Sequence, residues 1–97
     1  ERFMIERRRY RVHGRVQGVG FRAFVWRQVQ RLELAGWVRN RHDGTVEVLA
    51  DATSDEHEKL LQVLGQGPSL SRVDRVEAET EAREIEDLVG FAVVPDA

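Results

Sequence analysis

Gly14-Arg15-Val16-Gln17-Gly18-Val19-Gly20-Phe21-Arg22 is where the chain changes from a period of two to a period near 3.6. Upstream, Arg8 to Val16 alternates. Tyr10, Val12, Gly14 and Val16 fall on one side and Arg9, Arg11, His13 and Arg15 on the other, which predicts a half-buried strand. Downstream, Phe21, Val25, Val29 and Leu32 recur at i, i+4, i+8 and i+11, one face of a helix predicted from Phe21 to Leu34. Gly36 reads as the glycine that stops it. A strand entering a helix through glycines can aim several backbone N–H groups at one point, where the helix dipole adds positive potential. Arg22 in the first turn adds a planar fork of donors. The stretch predicts a socket for a tetrahedral oxyanion. Its plainer reading is a tight turn in which glycine serves conformation alone.

Trp37-Val38-Arg39-Asn40 and Thr45 to Ala50 are short β-prone runs separated by Arg41-His42-Asp43-Gly44, and Asp-Gly ahead of a strand predicts a hairpin. Thr53-Ser54-Asp55-Glu56 has the form of a capping box and opens a second helix, whose His57, Leu60, Leu61 and Leu64 share a face. Gly65 to Ser71 is a loop. Val73 to Thr80 reads as a strand with an irregularity near Asp74, because Val73 is out of phase with Val76 and Ala78. Glu81 to Asp87 is an exposed acidic connection, and Phe91 to Pro95 a last strand. The order β-α-β-β-α-β with one further strand is the ferredoxin-like split βαβ pattern. It predicts an α+β sandwich: an antiparallel sheet with two helices on one face and water on the other. Residues 1–97 make a single domain, with residues 1–7 expected as a loose N-terminal extension.

Composition narrows the function classes. The absence of cysteine excludes disulfides and thiolate metal sites. No apolar run approaches the length of a bilayer span and no signal-peptide core is visible, so a cytoplasmic protein without membrane contact is expected. His13, His42 and His57 share no metal-ligand spacing, and neither metal nor cofactor is expected. The net charge of −2 hides an asymmetry. Residues 1–41 carry eleven arginines against three acids, whereas residues 42–97 carry four cations against fourteen acids. A basic half can attract anionic partners; the plainer reading is that the halves interleave and neutralise each other.

The stretch from Gly14 to Arg22, followed by Gly36-Trp37-Val38-Arg39-Asn40-Arg41-His42-Asp43-Gly44-Thr45-Val46, resembles the two signature segments of the acylphosphatase family. Weaker similarity continues through Ser71-Arg72-Val73-Asp74-Arg75 to the last strand, so the resemblance covers nearly the whole chain from Arg8. One position departs: where the family often has glycine, eight residues after Gly44, this chain has Ala52, which puts a turn conformation in question. The resemblance implies metal-independent hydrolysis of the carboxyl–phosphate anhydride of small acyl phosphates. It implies that Gln17, Gly18, Val19, Gly20, Phe21 and Arg22 hold the phosphate, that Arg22 is catalytic, and that Asn40 positions the attacking water. An amide suits that task, since it can accept from water and donate to phosphate together. The carboxylate leaving group has a conjugate acid of pKa roughly 4, so it departs without a proton and no general acid is required. The phosphate of the substrate is the expected proton acceptor for the water. Inorganic phosphate or a similar anion is expected to fit the loop, and most relatives are small monomers.

Singly, Arg22 reads as a solvated helix residue and Asn40 as a turn residue; their joint arrangement gives them the functional reading. The remaining candidates keep plain readings: His13 on the wet face, His57 half buried beside Leu60, Arg7-Arg8-Arg9 as a solvated strand entry, Trp26 and Trp37 as packing, and Glu77 to Glu86 as surface. Two other functions compete. An RNA-binding module of the same fold would place aromatics on its central strands, but Thr45 to Ala50 has none and carries Glu47. A non-catalytic domain binding phosphate or a carbamoyl phosphate is the other.

Overall fold

The ten-residue strand β1 (Glu6–Arg15) is hydrogen-bonded along both edges, to β3 (Val46–Ala52) and to β4 (Arg72–Glu81), both antiparallel. The computed structural model describes residues 4–82 and 87–97. Helix α1 (Phe21–Leu32) follows β1, then β2 (Ala35–Asn40), β3, helix α2 (Ser54–Gln66), β4 and the short β5 (Phe91–Val93). The sheet order is β4-β1-β3-β2-β5, antiparallel until the last pair, where β5 runs parallel to β2. This is the expected ferredoxin-like α+β architecture, with the terminal strand making the sheet mixed. The acidic connection expected at Glu81 to Asp87 lies outside the described residues at 83–86, and Glu81 itself closes β4.

One core lies between the sheet and the helices. Tyr10, Val12 and Val16 meet Val38, Val46, Val48 and Ala50 from the sheet, Phe21, Val25 and Val29 from α1, and Leu60 and Leu64 from α2. The period-two and period-3.6 patterns converge because these side chains lose their water together. Leu61, read as part of the buried face, is 36% exposed, and Trp26 at 42% is a surface residue rather than packing. The capping box of α2 is complete: Glu56 N–H donates to the Thr53 hydroxyl, and Thr53 N–H to the Glu56 carboxylate. Ala52 is extended and buried at the end of β3, so no turn there demands glycine.

Several expectations are corrected. Helix α1 ends at Leu32, with Glu33 left-handed at φ 56°, and Gly36 belongs to β2. A Cβ on Gly36 would stand 1.9 Å from the Leu49 carbonyl oxygen, so glycine is required by the neighbouring strand, not by the helix stop. The irregularity near Asp74 is present: the register of β1 on β4 shifts between His13 and Gly14, passing over Asp74. Glu6 and Arg7, expected in a loose N-terminal stretch, are already in β1. Arg7 is 6% exposed and its guanidinium donates to Asp51 at 2.8 and 3.0 Å, so the arginine run is no solvated entry.

The face away from the helices is less wet than expected at its centre. Glu47 is 1% exposed, and Arg9, Arg39 and Arg41 all donate to it. Burial works to raise its pKa, but the hydrogen bonds from Arg39, Arg9 and Arg41 outweigh burial and hold the carboxyl below its ordinary range. Arg9 also binds Glu81, and the Trp37 ring lies 4.6 Å from the Arg39 guanidinium. The basic first half and acidic second half therefore neutralise across paired strands.

His57 is fully buried rather than half buried. Its Nε2–H donates to the Glu6 carbonyl at 2.8 Å, which fixes the tautomer, and Nδ1 accepts from the Tyr10 hydroxyl at 2.7 Å. Burial, with Arg8 nearby, pushes its pKa down. The unfolded chain therefore takes up a proton near pH 6.5 that the native state refuses. Stability is expected to fall as pH drops from 7 to 5.5, by up to about 1.4 kcal/mol per pH unit from this group. Urea unfolding checks this, and His57→Gln flattens the decline. In the same assay Gly36→Ala costs about 2 kcal/mol or more, because its methyl overlaps the Leu49 carbonyl.

Candidate active site

At one end of the sheet, β1 runs into α1 through the loop 16–20. Gly18 and Gly20 take left-handed conformations, φ 76° and 80°, which turn the chain sharply into the helix. Gly20 is the N-cap and provides no side-chain cap. The first helical hydrogen bond runs from Phe24 N–H to the Gly20 carbonyl at 3.0 Å. Among the described residues, no loop or cap bond to backbone uses the N–H groups of Gln17 to Arg22. The early N–H groups of α1 therefore remain donors for an anion, with the helix dipole behind them.

Gly18, Gly20, Phe21, Arg22 and Asn40 line one cavity of about 360 Å³, completed by Val16, Ala23 and Val93. Phe21 is buried in the core and anchors the first turn, and Arg22, with its side chain 41% exposed, stands beside it. Asn40 is the last residue of β2 and pairs with Val46 in the hairpin. It is 9% exposed, and its Oδ1 is buried without a hydrogen-bond partner among the described residues. An unpaired buried acceptor costs stability unless a ligand or water fills it, so this atom marks where a donor belongs.

Two predicted residues do not line the cavity. Val19 packs against the core. The Gln17 side chain turns to the hairpin, where Nε2 donates to the carbonyls of Arg41 at 2.7 Å and Thr45 at 2.9 Å. Gln17 therefore ties the loop to the hairpin carrying Asn40. The turn is closed further by Arg41 N–H on the Thr45 carbonyl at 2.9 Å and by Thr45 N–H and hydroxyl on Asp43. Those Thr45 bonds hold the exposed Asp43 carboxyl below its usual range.

The last strand, expected to run to Pro95, ends at Val93, and the bonds made by the segment after it were not anticipated. Val94 N–H donates to the Val38 carbonyl, Ala97 N–H to the Asn40 carbonyl, and His42 N–H to the Ala97 carbonyl. Between these anchors, Asp96 Oδ1 accepts from Arg22 Nη1 at 3.3 Å. No pattern in the sequence marks Asp96. None of the three histidines lines the cavity: His13 pairs with Glu77 on the open face, His42 is in the hairpin turn, and His57 is in the core. Among the described residues, no cluster of acidic or histidine side chains could hold a metal.

Known proteins share this sequence and this fold. The sequence profile of a family described as acylphosphatase matches residues 8–93. An acylphosphatase of Koribacter versatilis is 57% identical over 79 residues, 81% of this chain and 72% of that protein. One from Thermococcus kodakarensis is 49% identical over 84 residues, 87% of this chain and 90% of that protein. The crystal structure of acylphosphatase from Bacillus subtilis superposes with a TM-score of 0.85 at 37% identity, covering 94% of this chain and 99% of that one.

The tie between loop and hairpin generates a test. Gln17→Met keeps length but removes both bonds, and is expected to cost about 1–2 kcal/mol. Urea unfolding reads the cost, and faster amide exchange confined to residues 41–45 shows where it falls.

Proposed function

Given that the chain belongs to the acylphosphatase family and hydrolyses the carboxyl–phosphate anhydride, we propose that Arg22 and the loop Gly18–Phe21 hold the phosphoryl group while Asn40 holds the attacking water. The observation that carries the assignment is the buried, unpaired Oδ1 of Asn40 in the same cavity as Arg22. Oδ1 accepts a hydrogen from the water, and the Asn40 amide N–H group can donate to a phosphoryl oxygen. Gln17 acts from outside the cavity, by holding the two halves of the site at a fixed spacing.

The water oxygen forms a bond to phosphorus as the bond from phosphorus to the carboxylate oxygen breaks. A phosphoryl oxygen takes the proton the water loses, so the products are carboxylate and dihydrogen phosphate, and charge balances. No side chain has to change protonation state. This suits a cavity whose described lining holds no carboxylate and no histidine. Charge spreading over the phosphoryl oxygens meets Arg22 and the free N–H groups of the first turn, which are in place before reaction. Positioning and electrostatics are sufficient because the leaving carboxylate is stable unprotonated, so the proposal calls for no metal or cofactor. It also takes the working form to be a cytoplasmic monomer, with inorganic phosphate as the anion the loop retains after turnover.

Acetyl phosphate or benzoyl phosphate, followed by loss of the anhydride in excess chelator, tests the reading. Turnover is expected without metal. Arg22→Ala should lower kcat/KM by about a hundredfold to a thousandfold, as loss of a preorganised charge donor does. Asn40→Ala should lower kcat by about a hundredfold while KM changes little, because its main partner is the water rather than the ground-state substrate. Full activity in Asn40→Ala would remove the water-positioning role.

A further inference from the structure

We propose that Glu47 is a positioning residue for the reaction: from the face of the sheet opposite the cavity it grips the two residues that flank Asn40, and so fixes the aim of the Asn40 amide. The inference rests on Asn40 holding the attacking water. Asn40 Oδ1 has no hydrogen-bond partner among the described residues, so no bond inside the cavity sets the direction of that atom. Its direction follows from the backbone at Asn40, and therefore from whatever holds that backbone. Asn40 is the last residue of β2, and beyond it the chain leaves the ladder for the hairpin turn. Side chains alternate between the faces of a strand, so those before and after Asn40 turn to the open face while Asn40 itself lines the cavity.

Both flanking side chains are held there by one atom. Glu47 stands opposite Arg39 in the ladder, and its Oε1 accepts from Arg39 Nε at 2.7 Å and from Arg41 Nη1 at 3.1 Å. These bonds close a ring of chain through Arg39, Asn40 and Arg41, with Asn40 at its middle. The ring is stiff because the Glu47 carboxylate is 1% exposed and cannot exchange its donors for water. The Trp37 ring, 4.6 Å from the Arg39 guanidinium, packs the first arm. At the second arm, Gln17 Nε2 holds the Arg41 carbonyl at 2.7 Å. Arg9 binds the other Glu47 oxygen, and Glu81 as well, but it belongs to β1 and does not flank Asn40. The network therefore contains two arginines joined to Asn40 through the main chain and one that is not. A displacement of about 1 Å in a group that orients a reactant can cost about a hundredfold in rate. Loss of one arm, with the ladder intact, should cost about tenfold.

Turnover of benzoyl phosphate in excess chelator, with urea unfolding alongside, makes the test. Arg41→Met and Glu47→Met should each lower kcat about tenfold and change KM much less. The two substitutions alter the charge near the site in opposite directions. A field effect on the anion would therefore move kcat oppositely, whereas a lost clamp lowers it in both. Arg9→Met also strips a donor from the buried carboxylate and should lower stability in urea, yet leave kcat within about twofold. In an Asn40→Ala background, Arg41→Met should add a loss of less than about twofold, because the residue it positions is gone. Should Glu47→Met not fold, the contrast of Arg41→Met with Arg9→Met and the Asn40→Ala background decide without it. Full kcat in Arg41→Met overturns the proposal. So do opposite changes in Arg41→Met and Glu47→Met, an equal loss in Arg9→Met, or a further loss of about tenfold on top of Asn40→Ala. Full activity in Asn40→Ala alone would instead remove the water-holding reading, and the clamp with it.

Discussion

Everything at the site depends on the double pairing of β1. Its register sets Val12 against Val46 on β3, and β3 sets Val46 against Asn40 on β2. Three strands are thereby aligned across the sheet at one level. The loop that leaves β1 and the residue that ends β2 must then emerge at the same end. Backbone bonds and the shared burial of Tyr10, Val12, Val46 and Val48 supply the stabilisation. A slip of one residue would turn the valines to the open face and take Asn40 out of line with the glycine loop.

The loop was legible in the sequence because its determinants are local. Glycine at left-handed positions, a switch of period and an arginine in the first turn all fall within nine residues, Gly14 to Arg22. The place of Asn40 just before a hairpin turn was legible for the same reason, whereas its role came only from the family resemblance. Gln17 was placed in the right neighbourhood, but its side-chain tie to the hairpin was not foreseen. Its carbonyl partners are residues of the hairpin, 24 and 28 positions away, and no periodicity reports such a contact.

The misread charges have one common cause. Alternation says which face of a strand a residue occupies, not what neighbouring strands lay over it. Glu47 alternates outward correctly, yet long side chains from β1, β2 and the hairpin close above it. Arg7 is on that face too and is buried against Asp51. Gly36 failed differently. A glycine after a helical pattern is equally consistent with a helix stop and with a strand that needs a close neighbour, and only the proximity of the Leu49 carbonyl decides between them. Asp96 lay beyond reach of sequence reasoning because its position comes from hydrogen bonds between segments more than fifty residues apart.

The segment after β5 has one more consequence. An open strand edge is a template on which another chain can add, and long flat edges invite aggregation. Without β5 and the bonds that follow it, β2 would present its outer carbonyls, those of Val38 and Asn40, as such a template beside the candidate cavity. The sheet instead ends there on a strand of three residues, too short to recruit a partner, while the opposite edge, β4, is studded with Asp74, Glu77, Glu79 and Glu81. The piece of chain that brings Asp96 to Arg22 is thus also the one that covers the edge of β2 beside the cavity.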